Sequence, residues 1–237
     1  MKEKGENIIK EISFKYSKNP KTVAIFIIGS YAKGLQNSKS DIDFYIIQKK
    51  IKDNVEFFYY KNYPIQIQFR NLQSFKKKIK KQTRSEPLGS YAKILYIKNE
   101  NFEEVSYYLS ISKKLKEQGP IKISESEKKQ LLISLSCDID PIVGYIEKED
   151  FISAKVQIVQ IIIKALNLFY DTKSYFWPGE KHLFEDLKEK DKDLYEKTFQ
   201  AITDSNIKNS FFNCKKICEK VLSEIKTKTK SYKIYFN

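Results

Sequence analysis

Cysteine, arginine and histidine are scarce in this chain, whose 237 residues include three Cys, two Arg and one His. Three cysteines cannot build the disulfide framework of a small secreted domain. The first residues also lack the apolar segment of a secretory signal peptide. We therefore expect a reducing, cytoplasmic environment. Cys214 and Cys218 lie one helical turn apart with no histidine nearby, a pattern that favours packing in a core over metal binding.

Long hydrophobic runs are absent as well. The longest, Val156–Tyr170, has 15 residues and is interrupted by four polar side chains. A helix needs about 20 apolar residues to cross a bilayer. The segment is therefore predicted to be a buried helix, and no membrane partner is expected.

Positive charge is in excess, with 44 Lys and Arg against 30 Asp and Glu, a net charge of +14. Such a surplus steers anionic partners toward a protein. Only Arg70 and Arg84 are arginine, however, whereas proteins that read nucleic acid usually use the planar guanidinium group. Nucleic acid is therefore an alternative partner and not the favoured one.

The first half of the chain mixes short apolar, β-branched runs with helical patterns, which indicates an α+β domain. The length of the chain and its 41% hydrophobic content allow two domains, each with its own core. The predicted strands are Val23–Ile28, Asp41–Ile47, Val55–Tyr60, Ile65–Phe69 and Ile94–Ile97, and the predicted helices are Asn7–Tyr16 and Asn71–Lys81, with a hairpin turn at Lys61–Pro64.

The second half of the chain shows only helical patterns. Ser124 and Glu127 form a capping box at the start of the first helix. We expect about four helices here, and a chain made of a mixed sheet flanked by helices in residues 1–118 and a helical bundle in residues 119–237. The later predicted helices are Phe151–Tyr170, Phe184–Thr203 and Ile207–Lys226.

Two short motifs follow neighbouring apolar runs. Gly29-Ser30 comes directly after the first predicted strand and before a short helix, so its backbone N–H groups and hydroxyl can bind a phosphate. Asp41 and Asp43 lie two residues apart on the next strand, and alternate strand residues share a face. Paired carboxylates repel unless a cation lies between them, and oxygen ligands suit Mg²⁺ or Mn²⁺. The pattern predicts a metal site beside a triphosphate site.

Gly29-Ser30, ten further residues and Asp41-Ile42-Asp43 resemble the signature of the DNA polymerase β-like nucleotidyltransferase superfamily, especially its minimal and antibiotic-modifying branches. Residues Tyr175–Leu183 are more loosely similar to the aromatic-Pro-x-x-Lys region of aminoglycoside and lincosamide nucleotidyltransferases. The resemblance implies that residues 1–118 are the nucleotidyltransferase domain and that residues 119–237 bind the acceptor.

The resemblance also implies a reaction, in which an acceptor hydroxyl attacks the α-phosphate of a nucleoside triphosphate and pyrophosphate leaves. Catalysis then consists mainly of positioning and charge neutralisation. Asp41 and Asp43 are the implied catalytic residues and metal ligands. The implied phosphate-binding residues are Gly29, Ser30, Lys33 and Lys181.

One position departs from the family pattern. The family usually places a third carboxylate on the strand after the hairpin, near Gln66, and a glutamine cannot act as a general base. Glu56, Asp138 and Asp140 are the alternatives, and Asp138 is the predicted catalytic residue among them.

The favoured function is transfer of AMP from ATP to a hydroxyl of a small molecule, such as an aminoglycoside- or lincosamide-like antibiotic. The alternatives are transfer to a protein or to RNA, as in a toxin–antitoxin system, and a silent nucleotide-binding module.

Two other features have structural interpretations. The pentapeptide Gly-Ser-Tyr-Ala-Lys occurs at Gly29 and again at Gly89, and because no surrounding similarity supports a repeat, we interpret the recurrence as chance. Tyr175 and Trp177 either stack on a ligand or anchor a loop of the bundle, and His182 is expected to pack at a helix start.

Overall fold

The computed structural model describes residues 2–226. The chain divides into two units, one of residues 1–118 and the other of residues 119–237. Each unit is described by itself.

A five-stranded mixed sheet organises the first unit. Its strands are β1 (Thr22–Ile28), β2 (Ile42–Gln48), β3 (Asn54–Tyr60), β4 (Tyr63–Asn71) and β5 (Lys93–Ile97). The strand order is β3-β4-β2-β1-β5; β2 and β4 pair in parallel, and the other neighbours are antiparallel. The mixed sheet predicted from the sequence is therefore confirmed.

Helices cover both faces of this sheet. Ile8 and Ile12 of the first helix pack against one face, and Phe75, Ile79 and Val105 of later helices pack against the other. Every residue of β1 is buried because the strand is central and covered on both sides. The helices are α1 (Lys2–Ser17), α2 (Gly29–Lys33), α3 (Leu72–Ile79), α4 (Leu88–Tyr91) and α5 (Phe102–Gln118), with a 3₁₀ helix at Asn99–Asn101.

The hairpin between β3 and β4 has a tighter turn than predicted. Lys61 and Asn62 both adopt positive φ angles, 50° and 66°, as the central residues of a two-residue type I′ turn do. Tyr63 and Pro64 therefore belong to β4, and the four-residue turn expected from the sequence is wrong. The right-handed twist of the paired strands favours this shorter connection.

The second unit is helical, as predicted, but contains more helices than expected. The capping box of Ser124 and Glu127 is confirmed at the start of its first helix. The segment predicted as one helix over Phe184–Thr203 is two, because Asp191 leaves the helical conformation and its side chain caps the next helix by accepting from Leu194 N. The helices are α6 (Glu125–Cys137), α7 (Ile139–Glu147), α8 (Phe151–Thr172), α9 (Leu183–Lys190), α10 (Lys192–Thr203) and α11 (Ile207–Lys226), with a 3₁₀ helix at Glu180–His182.

Helix α8 lies at the centre of the second unit. By its length of 22 residues and its apolar composition, the helix could cross a membrane. Buried core helices have the same length and composition. Ten of its residues are buried, and nine of them belong to the same apolar cluster as residues of α6, α7, α9, α10 and α11. Cys214 and Cys218 of α11 are fully buried in this cluster, in agreement with a packing role.

Candidate functional site

The bend after β1 brings Gly29 against Asp43. Gly29 has a φ of +65°, and a Cβ built on it would lie only 2.3 Å from Oδ2 of Asp43. The antiparallel register explains the approach, since the preceding residue, Ile28, is directly opposite Asp43. Glycine is required here twice, for its backbone conformation and for the space that the carboxylate occupies.

Ser30 adds a buried hydroxyl next to this contact. The residue is 4% exposed, and its Oγ has no hydrogen-bond partner among residues 2–226. A buried hydroxyl without a partner is destabilising. An anionic oxygen bound at the Gly29–Ser30 bend would supply the missing acceptor.

The two aspartates lie at the start of β2. Asp41 precedes the strand by one residue, Asp43 is its second residue, and both are half-buried. Their neighbours Ile42 and Phe44 pack in the core on the α1 side of the sheet, so alternation places Asp43 on the opposite face. Carboxylate oxygens at these positions suit Mg²⁺ or Mn²⁺. Within the part of the chain that the structure describes, no cluster of three or more His, Cys, Asp or Glu could hold a metal.

Gln66 lies beside Asp43 in the sheet. The parallel pairing of β2 and β4 sets Asp43 opposite Gln66, and β3 continues the row with Phe57 opposite Gln66. Paired residues of neighbouring strands are about 5 Å apart and share a face. The amide of Gln66 therefore occupies the position where a third carboxylate would adjoin Asp43, and its oxygen is a weaker metal ligand than a carboxylate.

Glu56 faces away from the aspartates. The register pairs it with Ile67, which packs in the core on the α1 side. Burial, followed by the negative charge of Glu56, raises the pKa of Tyr16 in α1, which places Glu56 near that helix. Glu56 is therefore not a substitute for the missing carboxylate.

This arrangement lies within a segment that matches the model of a protein family. Residues 9–101 match the model of the polymerase beta nucleotidyltransferase family, a range that includes Gly29, Ser30, Asp41, Asp43 and Gln66. Residues 9–101 form a DNA polymerase β-like nucleotidyltransferase domain. The crystal structure of a nucleotidyltransferase-like protein from Exiguobacterium sibiricum 255-15 is similar to the chain at 14% identity and a TM-score of 0.43, over 94% of this chain and 79% of that one. No curated protein matches the chain.

In the nucleotidyltransferase domain, the two copies of Gly-Ser-Tyr-Ala-Lys contact each other. Lys33 Nζ of the first copy lies 4.6 Å from the ring centroid of Tyr91 in the second. In return, Lys93 Nζ donates to the carbonyl oxygen of Tyr31 at 3.2 Å. The antiparallel pairing of β1 with β5 brings the two segments together, since it sets Ile27 opposite Lys93.

Glu86 holds Lys33 in this arrangement. One carboxylate oxygen lies 3.1 Å from Lys33 Nζ and the other lies 2.6 Å from Lys116 Nζ. Burial raises the pKa of Tyr91 to about 12, with further contributions from the charges of Glu86 and Asp43. Tyr91 therefore keeps its hydroxyl proton and is a neutral side chain, and the Lys33 ammonium lies over its ring. Sequence reasoning missed Glu86 and Tyr91, although the recurring pentapeptide was a signal for Tyr91.

Two of the predicted site residues, Asp138 and Lys181, belong to the second unit. Asp138 accepts hydrogen bonds from Ser134 Oγ at 2.7 Å and from Lys164 Nζ. Burial would raise the pKa of Asp138, but these two hydrogen bonds hold it below its usual value. Lys181 lies in the 3₁₀ helix Glu180–His182. Their catalytic and phosphate-binding roles stay predictions.

The aromatic residues of the second unit act in packing. Trp177 and Tyr175 both pack against the core of the unit, with ring centroids 5.4 Å and 6.1 Å from that of Tyr170. Tyr170 is fully buried, and its hydroxyl donates to Asp186 at 2.6 Å. These contacts favour loop anchoring over ligand stacking. His182 Nδ1 lies 3.6 Å from Glu185 at the start of α9.

Proposed function

We propose that the chain transfers a nucleoside monophosphate to a hydroxyl group of an acceptor, with ATP as the favoured donor and AMP as the transferred group. The observation that supports this function is the contact of Gly29 with Asp43. It joins a bend that can bind phosphate to a carboxylate that can bind a divalent cation. Both groups are needed at one point for nucleotidyl transfer, because the α-phosphate lies between the metal ligands and the leaving pyrophosphate.

Each residue has a defined task in this proposal. Ser30 Oγ and the Gly29 backbone bind the leaving pyrophosphate, and Asp41 and Asp43 hold Mg²⁺ or Mn²⁺. Bound there, these cations supply neutralisation of the charge on the attacking and leaving oxygens. Lys33, held by Glu86 next to Tyr91, adds positive charge beside the phosphates.

Removal of the acceptor proton is the step that this site supports least. Gln66 cannot act as a base, and Glu56 is on the other face of the sheet. Asp138 and Asp140 of the second unit are the proposed alternatives, but the Lys164 ammonium makes Asp138 a weaker base than an unpaired carboxylate. We therefore expect slow transfer, and a silent nucleotide-binding module is the limiting case.

Two acceptor classes follow from the sequence and the charge distribution. A small hydroxyl-bearing molecule, aminoglycoside- or lincosamide-like, bound by residues 119–237 follows from the resemblance to the antibiotic-modifying branches. RNA is the second candidate, favoured by the location of the charge. Residues 1–118 contain 24 Lys and Arg against 12 Asp and Glu, whereas residues 119–237 contain 20 against 18. The domain with the catalytic motif thus attracts polyanions and repels cationic aminoglycosides.

Pyrophosphate release tests the proposal. The protein is incubated with Mg²⁺ or Mn²⁺, each of the four ribonucleoside triphosphates, and acceptors that include an aminoglycoside, a lincosamide, an oligoribonucleotide and a protein mixture. Asp43→Asn should abolish release, and Glu56→Gln, which removes a carboxylate from the other face, should retain it. Absence of release from every combination, or equal loss in both variants, would contradict the proposed function.

A further inference from the structure

The outer strand of the nucleotidyltransferase domain exposes a pair of aromatic rings. Phe57 and Tyr59 of β3 are 59% and 70% exposed, although each is large and apolar enough to be buried. Their ring centroids are 5.8 Å apart with the planes at 85°. Exposed apolar patches of this kind mark binding sites more often than single exposed residues do.

The pair lies on the same face of the sheet as Asp43. Phe58 and Tyr60, the alternate residues of β3, pack toward the core on the α1 side. Phe57 and Tyr59 therefore point to the opposite face. On that face the register forms one row across three strands, with Phe57 opposite Gln66 and Gln66 opposite Asp43.

From Asp43 on β2, this row runs through Gln66 on β4 to Phe57 on β3, toward the side from which an acceptor would approach. Gly29 and Ser30, which would bind the leaving pyrophosphate, lie on the β1 side of Asp43. In-line displacement requires the attacking hydroxyl to come from the side opposite the leaving group, which is the side of β4 and β3. From Asp43, Gln66 is one strand away, about 5 Å, and Phe57 two strands away, about 10 Å.

The ammonium group of Lys78 lies near the residue of β2 that is two positions beyond Asp43. Lys78 Nζ of α3 is 5.3 Å from the ring centroid of Tyr45, which follows Asp43 by two residues on β2. Desolvation and the nearby charge of Arg70 lower the pKa of Lys78, so an added anion would stabilise its charged form.

We propose that Phe57 and Tyr59 form an acceptor subsite that stacks on the terminal bases of a single-stranded RNA, with Lys78 contacting its phosphates. Aromatic rings beside a positively charged surface are how proteins hold single strands with little sequence preference. The proposal rests on the proposed function and selects the RNA acceptor, in agreement with the charge surplus of residues 1–118.

Binding of a fluorescein-labelled oligoribonucleotide of about ten nucleotides, followed by anisotropy without nucleoside triphosphate, tests the subsite. Phe57→Ala and Tyr59→Ala should each weaken RNA binding about tenfold. Phe57→Tyr, which keeps an aromatic ring, should bind RNA as the wild type does. Lys78→Ala should reduce the salt dependence by about one phosphate contact. Phe14→Ala is the matched control. Phe14 lies on α1, on the other side of the sheet; its side chain is 62% exposed, and the Lys18 ammonium lies over its ring.

The outcomes separate this proposal from the proposed function. Unchanged affinity in the Phe57 and Tyr59 variants, or binding only of a ring-bearing small molecule or a protein, overturns the subsite even if pyrophosphate release is observed. Binding that depends on both rings and persists in Asp43→Asn supports the subsite, including when no transfer is detected. Each variant should unfold at the same melting temperature as the wild type. A loss of binding in such a variant then comes from the missing side chain and not from unfolding.

Discussion

The backbone of Gly29 lies against the carboxylate of Asp43, so closely that a methyl group on Gly29 would be 2.3 Å from Oδ2. The contact links the end of β1 to the start of β2 and leaves the Gly29–Ser30 backbone beside an anionic oxygen. Two like charges, a phosphate and a carboxylate, can share such a space only with a cation between them. This relationship explains why a glycine, and no larger residue, fits the bend.

Gly29→Ala should abolish pyrophosphate release, whereas Gly34→Ala should retain it. Both glycines have positive φ angles, +65° and +76°, but a Cβ on Gly34 would meet no atom within 4 Å. Each variant should lose about 1 kcal/mol or more of unfolding free energy from backbone strain. Only the Gly29 variant also displaces Asp43. Thermal unfolding and release assays measure the two effects, and equal activity in both variants would disprove the role of the contact.

Ser30→Ala should weaken nucleoside triphosphate binding about tenfold or more, because a hydroxyl bonded to a charged group is lost. The free energy of unfolding should stay the same or rise, since the buried Oγ has no partner in the part of the chain described. Ser112→Ala is the control, as Ser112 is fully buried and its Oγ is also without a partner there. Calorimetric titration with a non-hydrolysable ATP analogue and Mg²⁺ measures affinity; a similar affinity in the two variants would count against phosphate binding by Ser30.

Gln66→Glu should raise the rate of transfer about tenfold or more, since it puts a possible metal ligand and general base next to Asp43. Gln68→Glu introduces the same charge one row away, opposite Tyr45, and should not accelerate the reaction. Initial rates of pyrophosphate release at several pH values compare the two. Acceleration in both variants would indicate a general charge effect, and acceleration in neither would remove Gln66 from the site.

Glu86→Gln should lower the free energy of unfolding at pH 7 by about 1 kcal/mol and should lower it by less at pH 3. Burial opposes ionisation of Glu86, but hydrogen bonds from Lys116 and Lys33 hold its pKa below the usual 4.5. The stabilisation is therefore present above pH 4.5 and is lost as the pH falls through the lower, folded-state pKa. Urea unfolding at the two pH values measures it.

The exposed Glu100 provides the control for this pH dependence. Its pKa is also lowered, first by a hydrogen bond from Lys49, but its side chain is 53% exposed. Solvent screens such a pair, so Glu100→Gln should leave the unfolding curve unchanged. A Glu86 effect that is the same at pH 3 and pH 7 would show that packing, and not the ion pair, accounts for it.

Local patterns were sufficient for most elements of the first unit. The apolar run of β1, the aspartates at the start of β2 and the hairpin were all predicted within two or three residues, because each depends on side chains adjacent in sequence. The two-residue turn was missed because positive φ at Lys61 and Asn62 is uncommon for lysine. The break at Asp191 was missed because helical periodicity continues across it.

The sequence by itself determined which chemical groups are present: a glycine-serine bend, two carboxylates at a fixed spacing, and a glutamine on a later strand. Tertiary structure alone decided which of them meet, because strand order and register depend on pairing between segments distant in sequence. Parallel pairing of β2 with β4 set Gln66 beside Asp43, and antiparallel pairing of β3 with β4 turned Glu56 to the other face. The antiparallel pairing of β1 with β5 likewise brought Lys33 to Tyr91, since a side chain's neighbours across a sheet follow from the register and not from its own segment.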